Sequence, residues 1–271
     1  MNRTVLLTTS MRKRRWLVLG VLLAVAAGVG AAWFWRAPAL AWLSSRFPKI
    51  IPAGIVEPKP DPTTYRALKR DLEAKRAYLS RQYQSAATPA AREAILQQAR
   101  QSLETTLPAM MRCWLGTPWD FNGTAAEPGA GKIACGYFVA TVLKDAGFKV
   151  DRYTLARQAS GNILQSFLPR DACVLMVGKP YAEFTSAIAK REPGVYVIGL
   201  DSHVAFLVVT REGFRFIHSS GTRPWRVVDE GPADAGVLQR SNWRMFGNLT
   251  AHPKLLQTWL EGRTITVKGN E

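Results

Sequence analysis

The sequence predicts an α+β domain that follows an N-terminal transmembrane helix. Three observations lead to this prediction. A run without charged residues extends from Trp16 to Trp35, apolar residues then recur at helical spacing, and from Gly194 the pattern becomes that of strands. A domain whose helices come first and whose strands come later is typically α+β, with helices packed on a small antiparallel sheet.

Composition and charge restrict the class of partner. The chain has 271 residues, and 36 Lys and Arg against 20 Asp and Glu give a formal net charge of +16. Such an excess of positive charge favours an anionic partner, which can be a nucleic acid, lipid head groups or an acidic polymer. The sequence contains neither zinc-finger spacing nor basic residues interleaved with aromatic ones in the manner of base-reading proteins. We therefore expect no nucleic-acid partner.

The N-terminal region has the features of a membrane anchor. Residues 16–35 are uncharged and long enough to cross a bilayer as a helix. Residues 12–15 are all basic, which predicts a cytoplasmic N-terminus over residues 1–15 and a single-pass protein of the cytoplasmic (inner) membrane. The rest of the chain is then extracytoplasmic or periplasmic. The alternative is a cleaved signal peptide, since Ala39–Ala41 resembles a cleavage site.

A spacer and a helical segment separate this anchor from the main domain. Residues 36–62 contain six prolines, which predicts a semi-extended spacer. Residues 63–111 predict two helices with a break at Ser85–Ala91, and residues 112–271 form the predicted catalytic domain. We expect the two helices to pack on that domain; a helical hairpin that protrudes toward a partner is the alternative.

The predicted elements of residues 112–271 follow in order. A loop rich in Gly and Pro leads to a short amphipathic helix that begins at Cys135 and ends near Gly147. One further helix is predicted over residues 153–168. Four strands come next, "VYVIGL", "HVAFLVVT", "FRFIHSS" and "WRVVD", and the chain ends with a helix near residues 253–260 and a short strand, "TITVK".

Cys135 is a candidate nucleophile. It shares one face of its helix with apolar residues, which by itself is equally compatible with a buried core thiol. Its place in the first helical turn favours an anion, because unpaired amides and the helix dipole lower a thiol pKa there. Outside the cytoplasm a disulfide between Cys113 and Cys173 is possible and would leave Cys135 free, but the sequence does not establish this pairing.

The histidines favour the nucleophile interpretation. His203 opens one predicted strand and His218 closes the next, and the turn between the strands is "TREG". If residues 210–213 form that turn, His218 lies opposite Ala205 and diagonal to His203 on the same sheet face. A cysteine and two histidines form a plausible nucleophile, base and orienting residue. Zinc binding by the same three residues is the less favoured alternative, and His252 is expected at the surface.

Four short blocks occur in order along the chain: "GTPWDFNG" (116–123), "ACGYFV" (134–139), "SHVAFLV" (202–208) and "FIHSSG" (216–221). In this order they resemble the NlpC-type cysteine peptidases, a papain-like family that cleaves cell-wall peptides. The resemblance extends over about residues 112–228 and implies a papain-like NlpC-type domain, with Cys135 as nucleophile, His203 as general base and His218 as the residue that orients it. It also implies that the backbone amide of Cys135 contributes to an oxyanion hole.

Several positions depart from the family pattern. Trp119 replaces a tyrosine, Ala134 replaces the acidic residue before the nucleophile, and Gly136 replaces the serine after it. In the family the last two positions help to recognise the charged end of the stem peptide, so these departures concern the usual D-glutamyl–diamino-acid specificity and leave the nucleophile intact. We expect Trp119, Asp120 and Gly136 to contact substrate; Asp201 is another possible source of a carboxylate.

The function expected from these features is that of a membrane-anchored thiol hydrolase without cofactor or metal. It would cleave an amide bond in peptidoglycan stem peptides or a related envelope substrate. Its partners would be peptidoglycan or another anionic envelope polymer, and the cytoplasmic membrane through residues 16–35. Two alternatives remain open: an inactive binding or scaffold protein on the same fold, and a thiol acyltransferase in which an amine or hydroxyl replaces water.

Overall fold

Two long helices begin the part of the chain that the structure describes. The structure is a computed structural model and describes residues 58–269, which belong to one compact unit. α1 (Pro62–Ser85) and α2 (Pro89–Arg112) each begin with proline, whose fixed φ suits the first helical position. Their N-caps are Asp61 and Thr88, whose side chains accept hydrogen bonds from backbone amides of the first turn.

This helical hairpin packs on the domain, as predicted. Tyr65, Leu72 and Leu79 recur every seven residues along the buried face of α1. α1 and α2 contact each other and the last helix, and α2 also contacts the central sheet. The helices over residues 63–111 are therefore part of the same core as the sheet, and the alternative of a protruding hairpin is wrong.

Three shorter helices follow, one more than predicted. α3 (Cys135–Asp145) begins at the predicted residue. The single helix predicted over residues 153–168 is in fact two, α4 (Arg152–Ala156) and α5 (Ser160–Phe167). The chain turns at Arg157–Ala159 between them, and Asp151 caps α4 through the backbone amide of Thr154. A 3₁₀ turn (Arg170–Ala172) leads from α5 into the sheet.

The sheet has six antiparallel strands, whereas four were predicted ahead of the tail. The predicted strands correspond to β2 (Gly194–Leu200), β3 (Val204–Thr210), β4 (Gly213–Ser219) and β5 (Val227–Glu230). The two additional strands, β1 (Val174–Val177) and β6 (Trp243–Asn248), pair with each other and extend the sheet beyond β2. The strand order is β1-β6-β2-β3-β4-β5.

Both faces of the central strands are buried. One face packs on the larger core that includes α1, α2 and α3, and the other is covered by α6 (Tyr181–Ala189) and α7 (Gly236–Arg240). All seven residues of β2 are consequently buried. This double burial explains why β2 has a continuous apolar sequence rather than an alternating one.

The tail is partly as predicted. α8 (Pro253–Glu261) confirms the predicted helix and ends at Gly262, whose φ of 62° is left-handed. The strand predicted over residues 264–268 is absent; only an isolated bridge joins Thr264 to Lys149. Within residues 58–269 no helix has the length and apolar character needed to span a bilayer. The predicted anchor over residues 16–35 lies outside the described residues.

Candidate active site

The loop before α3 fixes the position of Cys135. Ile133 donates its backbone N–H to the carbonyl of Pro118 at 2.9 Å, and its own carbonyl accepts a hydrogen bond from the buried Ser219 hydroxyl at 2.7 Å. Ser219 is the last residue of β4. The chain is thus tied to the sheet two residues before the helix starts, and Ala134 occupies the N-cap without a side-chain hydrogen bond.

The thiol of Cys135 is half-buried. The backbone amides of Val204, Gly136 and Cys135 act to lower its pKa. Burial outweighs them and raises the thiol pKa. The predicted lowering of the pKa at the helix start is therefore wrong in direction, and Cys135 requires a base to become a thiolate near neutral pH.

His203 and His218 lie together as the hairpin register predicts. β3 pairs with β4 with Thr210 opposite Gly213, which is the predicted register. His203 immediately precedes β3, and its Nε2 lies 2.8 Å from Nδ1 of His218. The ring of Phe216 lies 4.3 Å from that of His218, centroid to centroid, and restricts its orientation.

Both imidazoles are neutral in this environment. Burial lowers the pKa of His218 to about 3. The pKa of His203 also falls well below its usual value, first because of burial and second because of His218. Because Nε2 of His203 is hydrogen-bonded to His218, Nδ1 of His203 is the nitrogen that can exchange a proton with a group in the pocket.

Glu230 lies beside His218 and joins Cys135, His203 and His218 as a fourth candidate site residue, which the sequence did not predict. Its Oε2 lies 3.2 Å from Nε2 of His218, and the His218 side chain is 0% exposed and that of Glu230 19%. β4 pairs with β5 with His218 opposite Val228, so Glu230 is diagonal to His218 just as His203 is. The sequence places Glu230 directly after a predicted strand, but the register depends on a seven-residue connection without a recognisable turn motif.

Cys135 and His203 open into one pocket of about 790 Å³. This volume is in the range of small-molecule and peptide sites. Among the described residues that line the pocket, Arg157 is the only one with a permanent charge, and no carboxylate is present. The other lining residues include Trp119, Phe121, Asn122, Thr124, Tyr137, Ser202 and Thr222.

Of the predicted substrate-binding residues, Trp119 lines the pocket and Asp120 does not. Trp119 lines the pocket and packs against Trp225, with ring centroids 5.3 Å apart. Asp120 does not line it: its carboxylate accepts hydrogen bonds from the amide of Asn122 and from Lys132, and these two contacts lower its pKa. Asp120 is thus engaged in holding its own loop.

Gly136 lines the pocket, but its small size has a steric cause. A Cβ at this position would overlap the backbone carbonyl oxygen of Ala156 at the end of α4. The absence of a side chain therefore permits α3 and α4 to approach closely. The serine that the family pattern has here does not fit this backbone arrangement.

The remaining candidates lie outside the pocket. Asp201 accepts hydrogen bonds from the Ser241 hydroxyl and from two amides at the start of β6, and the largest contribution to its lowered pKa comes from Ser241. His252 is the N-cap of α8 and accepts from the amide of Leu255 at 3.3 Å. Neither residue lines the pocket with Cys135.

The other two cysteines are not bridged. Cys113 and Cys173 are both free thiols, so the possible disulfide between them is absent from the structure. Burial raises the pKa of each to about 11. Over residues 58–269 no cluster of three or more His, Cys, Asp or Glu side chains is arranged to hold a metal ion.

Comparison of the chain with family models, with curated proteins and with solved structures found no match.

Proposed function

We propose that this protein is a thiol hydrolase that cleaves an amide bond in peptidoglycan stem peptides or a related envelope substrate. One observation carries the proposal: Cys135 and His203 line the same open pocket, and His203 is held from behind by His218 at 2.8 Å. A cysteine at a helix start beside two histidines on neighbouring strands is also the arrangement that the NlpC resemblance implies. A papain-like relationship of this domain is part of the proposal.

The first chemical step follows from the protonation states. The thiol of Cys135 is neutral at rest because burial raises its pKa, and the imidazole of His203 is neutral because burial lowers its pKa. Nδ1 of His203 accepts the thiol proton as the sulfur attacks the carbonyl carbon of the scissile amide. The electron pair of the carbonyl bond moves to oxygen, and the backbone amide of Cys135 at the start of α3 would stabilise this oxyanion.

The second step releases the amine. The His203 imidazolium donates its Nδ1 proton to the departing nitrogen, the carbon–nitrogen bond breaks, and an acyl-thioester with Cys135 remains. Water then attacks the thioester and gives its proton to His203, and the sulfur leaves with the electron pair and is reprotonated. His218 keeps the imidazole oriented throughout through its hydrogen bond to Nε2.

The pocket walls suit a substrate that carries a carboxylate. Arg157 is the permanent charge at the pocket surface, and Trp119 and Phe121 offer aromatic faces, Phe121 with 79% of its surface exposed. Stem peptides bear carboxylates that an arginine can bind. The described residues of the lining include no carboxylate that could bind a free amino group, which agrees with the departures at Ala134 and Gly136 from the family pattern.

We also propose that the domain is located outside the cytoplasmic membrane. This rests on the uncharged residues 16–35 and the basic residues 12–15 before them. Alkaline phosphatase fused after Asn270 is expected to be active in cells. An inactive but full-length fusion would contradict the proposed topology.

The activity is tested with the full-length chain and purified peptidoglycan. We expect the wild-type protein to change the muropeptide profile and release new amino groups, whereas Cys135→Ala does neither. Cys173→Ala is the matched control, because it removes a half-buried thiol outside the pocket. Equal activity of Cys135→Ala and wild type, or no activity of either, would overturn the proposal. An acyl-enzyme that only an added amine resolves would indicate transfer instead of hydrolysis.

A further inference from the structure

A hydrogen-bonded series of side chains extends from the pocket to the edge of the sheet. It starts at His203, passes through His218 and ends at Glu230, with separations of 2.8 Å and 3.2 Å. His203 immediately precedes β3, His218 lies in β4 and Glu230 in β5, and the three are related by two equivalent diagonals across the sheet. The series is largely shielded from water, since the His218 side chain is fully buried.

Two proton arrangements of opposite direction satisfy both hydrogen bonds when the histidines are neutral, and the ionised carboxylate of Glu230, which can only accept, permits one of them. With Glu230 ionised, Nε2–H of His218 donates to the carboxylate, Nδ1 of His218 accepts from Nε2–H of His203, and Nδ1 of His203 carries a lone pair. With Glu230 protonated, its O–H donates to His218, which then donates through Nδ1–H to Nε2 of His203. The single remaining imidazole proton is then on Nδ1 of His203.

We infer that Glu230 is a positioning residue whose charge selects the tautomer of His203 through His218. The inference deepens the proposed function and rests on it where catalysis is concerned. An ionised Glu230 leaves Nδ1 of His203 able to accept the proton of the Cys135 thiol. When Glu230 is protonated, Nδ1 of His203 carries a proton and cannot accept the proton of the Cys135 thiol.

The surroundings of Glu230 place this change near neutral pH. Burial raises its pKa to about 7, with Asp234 and Asp229 acting in the same direction and Arg215 and Arg240 in the opposite one. These four groups come from β4, β5, α7 and the connection between β5 and α7. The active tautomer therefore predominates above about pH 7 and is lost as the pH falls below it.

The decisive measurement requires no substrate. Nitrogen-15 NMR of the full-length chain, labelled on histidine, distinguishes the two tautomers and the imidazolium, and the protein has only three histidines to assign. We expect the His203 proton to move from Nε2 to Nδ1 between pH 8.5 and pH 5.5. Unchanged His203 resonances, or a doubly protonated His203 ring in this range, would overturn the inference.

Two variants separate the role of Glu230 from a structural one. Glu230→Gln removes the titrating group but keeps its size, so we expect His203 to lose its pH-dependent tautomer change. Asp234→Asn removes a nearby negative charge, so we expect the change to persist with a midpoint at lower pH. A pH-dependent tautomer change that persists in Glu230→Gln would overturn the inference.

Kinetics test the catalytic consequence separately. We expect kcat at pH 8 to fall about 10- to 100-fold in Glu230→Gln, the loss expected when the charge-assisted hydrogen bond from His218 to the carboxylate is removed. An unchanged kcat in Glu230→Gln would refute the catalytic role of the carboxylate. If the tautomer change is seen and no peptide is cleaved by the wild type, the proposed function fails and the role of Glu230 in the proton arrangement stands.

Discussion

Gly136→Ala tests whether the residue after the nucleophile is fixed by packing. The new Cβ would lie about 1 Å inside an ordinary contact with the carbonyl oxygen of Ala156, and this atom belongs to the backbone and cannot rotate away. Overpacking of this kind costs about 1–3 kcal/mol, and replacing Gly by Ala in a helix returns at most about 1 kcal/mol. Because the overlap involves a backbone atom, the cost lies at the upper end of its range, and we expect a net loss of about 2 kcal/mol.

The assay is thermal unfolding of the full-length variant followed by circular dichroism. For a domain of this size a loss of about 2 kcal/mol lowers Tm by about 4–8 °C. Gly236→Ala is the matched control, because its Cβ would meet only the flexible end of the Arg240 side chain. We expect that variant to be as stable as wild type or slightly more stable.

Equal stability of Gly136→Ala and Gly236→Ala would refute the packing explanation. It would mean that α4 moves away from α3 at no cost, and that the family serine is compatible with this backbone. Gly136→Ser should behave like Gly136→Ala if packing is the cause. Because Gly136 and Ala156 both line the pocket, we also expect the displaced backbone to lower activity.

Four further outcomes follow from the site. Ser219→Ala removes the hydroxyl that holds the loop before Cys135 and should cost about 1–3 kcal/mol in urea unfolding; an unchanged midpoint would contradict this role. His203→Ala should slow alkylation of Cys135 by iodoacetamide at pH 7 at least about tenfold by mass spectrometry, since the thiol relies on a base; an equal rate would show that it does not. Stability should fall on acidification from pH 6.5 toward pH 3, because His218 stays neutral when folded and takes up a proton when unfolded. Glu230 opposes this loss of stability between pH 7 and 4.5, because its carboxyl is protonated in the folded state and ionised in the unfolded one. Glu230→Gln should therefore make the fall of stability with pH steeper there, by up to about 1.4 kcal/mol per pH unit. Identical slopes in the variant and wild type would contradict the raised pKa of Glu230.

The hairpin of β3 and β4 could be predicted because its register depends on local sequence. The turn around Arg211 and Glu212 joins two strands with clear patterns. One assumption, that residues 210–213 form the turn, therefore predicts the positions of both histidines relative to each other. Glu230 could not be placed in the same way, because the connection from Ser220 to Arg226 has no such turn. Its relation to His218 is a property of the folded sheet.

The other differences arise where distant residues compete with local preference. β1 and β6 pair with each other across more than 60 residues of sequence, and so neither has a neighbouring partner to indicate a hairpin. The pKa of Cys135 depends on the burial of the sulfur in the folded domain, which outweighs the effect of the helix start. Position 136 requires a residue without a side chain because the carbonyl of Ala156, twenty residues away in sequence, lies against it.

The location of Glu230 on β5 has a consequence for how the site loses activity on warming. β5 is four residues long and is the last strand of the sheet, and on its outer side Val227 exchanges backbone hydrogen bonds with Gly116 and Thr117. His203 and His218 adjoin strands that have strand partners on both sides. Edge strands open at lower free energy than central ones, and hydrogen exchange reports that opening amide by amide. We therefore expect warming to detach the carboxylate by local opening of β5 while the thiol and both imidazoles are still in place. Activity would then decline below the temperature of global unfolding, and the amides of β5 would exchange in the same range.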